Sequence, residues 1–124
     1  RTTFKIFGDD RIILISDSMR ATGLEDGDYT LGGQDVKVTG NLAALKDGTI
    51  AGSVTNLLDC MRTAVLSMGI PLESAVKCAA VNPAKSVGIY EEHGSITAGK
   101  KADVVLLKKD GLTLRQVILN GQLL

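Results

Sequence analysis

The first apolar segment of the chain is an unbroken aliphatic run from Ile12 to Ile15, which stops at Ser16 and Asp17. A continuous run, rather than an alternating one, predicts a strand over residues 12–16 that is buried on both faces, as in a parallel sheet. In a barrel of such strands, chemistry takes place at the carboxyl ends of the strands. Asp17 would then point towards a substrate.

Short alternating segments and turn residues follow this strand. Residues 29–31 and 36–39 flank Gly32-Gly33 and predict a small hairpin. Asp47-Gly48 predicts a further turn, and the sequence Ile-Ala-Gly-Ser at residues 50–53 predicts a loop.

Helical periodicity begins after this loop. Ser53 or Thr55 is the candidate N-cap of a first helix that ends at Gly69, and its apolar face comprises Leu57, Leu58, Met61, Ala64, Val65 and Met68. Ile70-Pro71 opens a second helix. We expect Asn82-Pro83 to break it, because the residue before a proline is pushed out of helical geometry.

The last part of the chain has the pattern of strands alone. Residues 103–107 and 114–119 predict two strands, and Asn120-Gly121 predicts a tight hairpin that leads into a last strand at residues 123–124.

These patterns divide the chain into an α/β segment, residues 1–88, and an all-β segment, residues 89–124. The first segment contains one parallel strand, which cannot form a closed sheet alone. The chain also starts at Arg1 without a cap or turn signal. We therefore expect a piece of a larger protein.

Composition excludes several classes of partner. Fourteen basic and fourteen acidic side chains give a net charge of +0, so no basic excess favours nucleic acid or an anionic membrane. No apolar run approaches the roughly 18 residues of a membrane span, and no signal peptide is seen. Cys60 and Cys78 lack metal-ligand or Cys-x-x-Cys spacing and indicate buried thiols in a reducing compartment, the cytoplasm.

Two features have a chemical interpretation, and each also has a structural one. Asp17 is either a general acid/base or metal ligand, or a turn or cap residue. The segment Ile50, Ala51, Gly52 and Ser53 either approaches an anion such as a phosphate through its backbone or is a loop with a serine N-cap.

The remaining polar residues offer little chemistry. His93 is the only histidine, and its polar surroundings predict a solvated loop residue. One histidine without a second ligand at useful spacing builds no zinc site, so we predict no metal-ligating residue in this chain. A Ser/His/Asp arrangement would depend on the same histidine.

Several stretches together resemble the C-terminal third of the N-acetylglucosamine-6-phosphate deacetylases, and the resemblance covers nearly the whole chain. Its more specific stretches are residues 15–21, 31–33 and 47–53. Residues 82–85 and 94–103 match motifs that are shared across the amidohydrolase superfamily.

The resemblance implies a fold and an activity. The expected fold class is α/β: the C-terminal part of a (β/α)8 barrel with the C-terminal strands of a small β-sandwich. Asp17 would be the general base and then the general acid in the deacetylation of N-acetylglucosamine-6-phosphate. Ile50, Ala51, Gly52 and Ser53 would contact this phosphorylated amino sugar.

The resemblance also implies what the chain lacks. The family's divalent metal, zinc or iron, is held by a glutamate and histidines from earlier strands that have no counterpart here. Because water activation requires that metal, we expect the isolated chain to be inactive. We expect it to self-associate or to associate with the missing N-terminal part. The alternatives are a piece of a dihydroorotase-like or hydantoinase-like amidohydrolase, and a stand-alone, non-catalytic partner-binding domain.

Overall fold

The computed structural model describes all 124 residues, which form helices and two antiparallel sheets. They divide into two compact units: residues 15–60 form one, and residues 1–14 with 61–124 form the other. The predicted α/β class is confirmed at this level. No helix has the length and apolar character needed to cross a membrane.

The unit of residues 15–60 contains a four-stranded meander. Its strands are paired in chain order and comprise β1 (Gly27–Leu31), β2 (Gln34–Thr39), β3 (Leu42–Leu45) and β4 (Ile50–Ser53). The predicted hairpin corresponds to β1 and β2, which Gly32-Gly33 joins with φ values of 58° and 82°. Two glycines at positive φ match the right-handed twist of the strands.

The structure adds two strands that the pattern did not predict. β3 consists of two alanines between two leucines and has no β-branched or aromatic residue, and Ile50 is the only such residue in β4, which also contains a glycine. Residues 50–53, predicted as a loop, are therefore an edge strand of this sheet. The hydrophobic core of this unit is formed by Val36, Val38 and Ala43 of the sheet together with Met19 and Ala21.

The helices are α1 (Thr2–Phe7), a 3₁₀ turn (Asp9–Arg11), α2 (Leu57–Leu66), α3 (Leu72–Val76), a π-helical turn (Lys77–Val81) and α4 (Asn82–Ser86). The predicted break at Asn82-Pro83 is wrong, because Asn82 has helical φ and ψ values of −64° and −45°. The Asn82 amide donates to the Lys77 carbonyl five residues back. This wider turn relieves the clash that a proline ring makes with the carbonyl four residues before it.

The predicted strand over residues 12–16 is also not part of a sheet. Ile12 is extended, and the Leu14 amide donates to the Cys78 carbonyl over 2.9 Å, but no strand pairs with the segment. Ile13 and Ile15 are 41% and 72% exposed in this chain, so the expected burial on both faces stays a prediction for the larger protein. A strand requires a neighbouring strand, and this chain does not place one there.

The second sheet is a three-stranded meander, formed by β5 (Val104–Leu107), β6 (Leu114–Leu119) and β7 (Gln122–Leu123). These strands confirm the prediction for the end of the chain. Asn120 and Gly121 make the tight turn between β6 and β7 with φ values of 49° and 78°.

Candidate functional site

Asp17 has an unusual backbone conformation and a free side chain. Its φ is 51°, in the left-handed region, and its side chain is exposed. Of the other two non-glycine residues with positive φ, Asn120 lies in a hairpin turn and Leu112 in the turn before β6. Such a conformation costs about 1–3 kcal/mol and persists only where the surroundings enforce it.

The carboxylate of Asp17 makes no hydrogen bond or ion pair within the chain. An Asx turn or a helix cap requires the carboxylate to accept a hydrogen bond from a nearby backbone amide. The Asp17 carboxylate therefore makes neither bond in this chain. Its interpretations as a general acid/base or as a metal ligand stay predictions.

The backbone next to Asp17 pairs with the end of β4. The Ser53 amide donates to the Asp17 carbonyl over 3.3 Å, and the Met19 amide donates to the Ser53 carbonyl over 2.8 Å. Ser18 and Ser53 thus form a parallel bridge. The two features singled out in the sequence are neighbours in the structure.

Side-chain hydroxyls add to this pairing. The Ser18 Oγ donates to the Thr55 carbonyl over 2.7 Å, and the Thr22 Oγ1 donates to the Met19 carbonyl over 2.8 Å. The Met19 side chain is only 6% exposed and belongs to the core of the unit. Sequence reasoning did not place Ser18 and Thr22 in the site, because their contacts with the Thr55 and Ser53 carbonyls link residues more than thirty positions apart.

Gly52 is not required by the packing of the chain itself. A Cβ built on it would lie 3.6 Å from Leu31 Cδ2 and 3.8 Å from Met19 Cβ, which are ordinary contacts, and its φ is not positive. A glycine at this edge strand leaves room for close approach of another molecule to the backbone.

The helix that follows does not present its N-terminus at residues 50–53. Helix α2 begins at Leu57, and its cap is Asn56, whose Oδ1 accepts the Asp59 amide over 2.9 Å. The prediction of Ser53 or Thr55 as N-cap is wrong; Ser53 Oγ instead accepts the Thr55 amide over 3.0 Å. The Asp59 carboxylate in the first turn also disfavours an anion there.

The sequence predicted that His93 is a solvated loop residue, but its side chain is not free in solvent. It is half-buried, and its Nδ1 lies 3.3 Å from Asp103 Oδ2. Cys60 and Cys78 are free thiols whose pKa values burial raises, and Cys78 is buried as expected. No group of three or more His, Cys, Asp or Glu side chains lies together in a way that could hold a metal ion.

Comparison with known proteins confirms the resemblance. The profile of the amidohydrolase family matches residues 11–124. The N-acetylglucosamine-6-phosphate deacetylase of Bacillus subtilis (strain 168) is 40% identical over 110 residues, which are 89% of this chain and 28% of that protein. The putative N-acetylgalactosamine-6-phosphate deacetylase of Escherichia coli (strain K12) is 37% identical over 114 residues, 92% of this chain and 68% of that protein.

The fold is similar to a solved deacetylase. A mutant of the N-acetyl-D-glucosamine-6-phosphate deacetylase of Mycobacterium smegmatis, in complex with N-acetyl-D-glucosamine-6-phosphate, superposes with a TM-score of 0.88 at 35% identity. The match covers 98% of this chain and 32% of that protein. The chain therefore spans less than a third of the B. subtilis relative and about a third of the solved deacetylase.

Proposed function

The chain belongs to the amidohydrolase family, and on that premise we propose that it is part of an enzyme that hydrolyses N-acetylglucosamine-6-phosphate to glucosamine-6-phosphate and acetate. The observation that carries the proposal is the free carboxylate of Asp17, held at a φ of 51° beside the end of β4. Such an acid is available to a substrate and has no structural partner.

In this proposal Asp17 moves the proton. Its carboxylate takes a proton from the attacking water and then gives it to the nitrogen of the leaving amine. One group serves as base and then as acid, so that the amine departs neutral. The unpaired state of the carboxylate supports this role, because an ion pair within the chain would compete for the same oxygen atoms.

Strand β4 supplies the contact with the substrate in this proposal. Ile50, Ala51, Gly52 and Ser53 lie at the edge of their sheet, and Ser53 pairs with the backbone of Asp17. The M. smegmatis protein was solved with N-acetyl-D-glucosamine-6-phosphate. A phosphorylated amino sugar at this edge would lie next to the acid that acts on its acetamido group.

The sugar of the substrate is a separate part of the proposal. Relatives of nearly equal identity are named for N-acetylglucosamine-6-phosphate and for N-acetylgalactosamine-6-phosphate. We propose the glucosamine derivative because the sequence resemblance and the 40% identical relative both point to it.

The proposal extends to the whole protein. Residues 1–88 would complete a (β/α)8 barrel, and residues 89–124 would contribute the C-terminal strands of a small β-sandwich. Three metal ligands do not come together in this chain. In this proposal, a zinc or iron ion takes its ligands from other residues of the protein. Location in the cytoplasm stays a prediction.

The test is an assay of the full-length protein encoded by the gene. We expect release of acetate from N-acetylglucosamine-6-phosphate, faster than from N-acetylgalactosamine-6-phosphate or from unphosphorylated N-acetylglucosamine. Turnover of dihydroorotate or a hydantoin, without acetate release, would identify another amidohydrolase. Absence of any turnover, together with capture of a defined partner, would favour a non-catalytic domain.

A further inference from the structure

The backbone of Asp17 is held in place by surprisingly few interactions. The hydrogen bond from the Ser53 amide to the Asp17 carbonyl is 3.3 Å long, beyond the usual range for N–H···O bonds. The carboxylate itself has no partner. The direction of the side chain is therefore set by the residues that flank Asp17, not by contacts of its own.

The residue that follows Asp17 makes the shorter contact. Ser18 is exposed, yet its Oγ donates to the Thr55 carbonyl over 2.7 Å, across 37 positions of sequence. The Met19 amide continues the pairing with a bond of 2.8 Å to the Ser53 carbonyl. Ser18 thus lies between Asp17 and a buried anchor, and its hydroxyl ties the segment to the chain just after β4.

An exposed serine with a side-chain bond to a distant carbonyl is not required for the core. Met19 already anchors the segment in the core of the unit, and Thr22 supports the Met19 carbonyl. Ser18 directly follows Asp17, the residue whose φ is 51°.

We propose that Ser18 is a positioning residue for Asp17: its hydrogen bond to the Thr55 carbonyl holds the backbone of Asp17 in the left-handed conformation that aims the carboxylate. This inference rests on the proposed function, in which Asp17 transfers the proton. The same hydrogen bond links the segment that carries the acid to the chain just after the proposed substrate strand β4. Misplacement of a reacting group by about 1 Å can cost roughly 100-fold in rate.

The test compares Ser18→Ala, Ser18→Cys and Ser18→Thr in the full-length protein. We expect Ser18→Ala to lower kcat on N-acetylglucosamine-6-phosphate by about 10- to 100-fold, with KM changed less than about threefold. Ser18→Thr keeps the hydroxyl and should recover most of the rate. Ser18→Cys keeps the size of the side chain with a weaker donor and tests the same bond if Ser18→Ala does not fold.

Ser95→Ala is the matched control. It also removes a serine hydroxyl that makes one hydrogen bond, to Thr97 Oγ1 over 3.0 Å, but it lies in the other unit of the chain. We expect its kcat and KM to equal those of the unchanged protein. An equal loss of rate in Ser95→Ala and Ser18→Ala would overturn the inference.

A crystal structure of the Ser18→Ala or Ser18→Cys variant decides the inference independently of activity. A shift of the Asp17 Cβ with a change of its φ supports the inference, and an unchanged Asp17 overturns it even if kcat falls. An unchanged kcat in Ser18→Ala also overturns it. If the unchanged protein releases no acetate from either sugar phosphate, the proposed function fails, and the crystal structure still decides whether Ser18 positions Asp17.

Discussion

At the scale of single residues, Asp17 combines three properties that a structural aspartate does not need. It is exposed, it is held at positive φ, and its carboxylate binds nothing within the chain. Conformational strain without a local hydrogen bond in return is typical of functional sites. The same residue stands at the end of the aliphatic run with which the sequence pattern begins.

Replacement of Asp17 tests its role directly. Asp17→Asn keeps the size of the side chain but removes its ability to take a proton, so kcat of the full-length protein should fall by about 10²- to 10⁴-fold. The melting temperature should change little, because the carboxylate supports no contact in the fold. Steady-state kinetics with thermal unfolding of the same samples measures both. A rate near that of the unchanged protein would show that the Asp17 carboxylate takes no part in the reaction.

Gly52 gives a second test at this scale, with a control in the same sheet. The surroundings accommodate a methyl group at Gly52, so Gly52→Ala should fold normally. If the substrate approaches the backbone here, Gly52→Ala should raise KM for the sugar phosphate by about tenfold or more, equivalent to about 1.4 kcal/mol. Gly27→Ala is the matched control: its Cβ would lie 3.7 Å from the Tyr29 ring, and its φ is also not positive. Equal KM values in the two variants would remove Gly52 from the substrate site.

The sequence identified these residues but left their roles open. For Asp17, the pattern alone could not separate a catalyst from a turn residue, because the difference lies in which atoms its carboxylate meets. The contribution of Ser18 could not be predicted at all, since its partner is the backbone of Thr55, which any residue would supply. The resemblance to deacetylases, not the local pattern, favoured catalysis.

At the scale of secondary structure elements, a cluster around Asp9 ties the first residues of the chain to the helices. The Asp9 carboxylate accepts hydrogen bonds from Ser74 Oγ over 2.7 Å and from Lys77 Nζ over 2.8 Å. The Asn82 side chain donates to the carbonyls of Asp9 and Ile12. The π-helical turn lies between Ser74 and Asn82, so this cluster holds both ends of it.

The cluster predicts a specific dependence of stability on pH. The hydrogen bond from Lys77, followed by that from Ser74, lowers the pKa of Asp9 below its ordinary value. The unfolded state therefore binds the proton more readily, so Asp9 contributes stability above a pH of about 4 and loses it as the pH falls through its lower folded pKa. Urea unfolding of the full-length protein between neutral and strongly acidic pH should show this loss, and Asp9→Asn should weaken it.

Asp110 provides the control for this experiment. It is an exposed carboxylate in the turn before β6, with no hydrogen bond or ion pair. Asp110→Asn should leave the acid-induced loss of stability as in the unchanged protein. If Asp9→Asn loses stability on acidification as steeply as Asp110→Asn does, the cluster does not contribute to acid sensitivity.

The elements that the sequence predicted well are those set by neighbouring residues. Both tight hairpins, at Gly32-Gly33 and Asn120-Gly121, follow from glycine and asparagine at positive φ. The incorrect predictions concern segments whose structure depends on residues that are distant in the sequence. The helix continues through Asn82-Pro83 because of a π-helical turn, and residues 12–16 pair with no strand although Ile12 is extended.

At the scale of the whole chain, many large apolar side chains are exposed. Two of them lie in the predicted strand itself: Ile15, which is 72% exposed, and Ile13, which is 41% exposed. A strand segment with alternate exposed isoleucines and no paired strand presents both apolar side chains and unpaired backbone groups. In the proposed barrel these groups would be covered by neighbouring strands.

Production of the 124-residue chain alone tests this interpretation. Because exposed apolar surface and unpaired strand backbone favour association, we expect oligomers in sedimentation velocity experiments and no acetate release from N-acetylglucosamine-6-phosphate. Replacement of both Ile13 and Ile15 by threonine keeps the β-branched shape and lowers the apolar area, so it should shift the distribution towards monomer. Ile96→Thr is the control, since Ile96 is 88% exposed but lies in a turn-rich loop outside any strand segment. A monomeric chain, or an equal effect of the loop substitution, would show that the segment at residues 12–16 does not drive association.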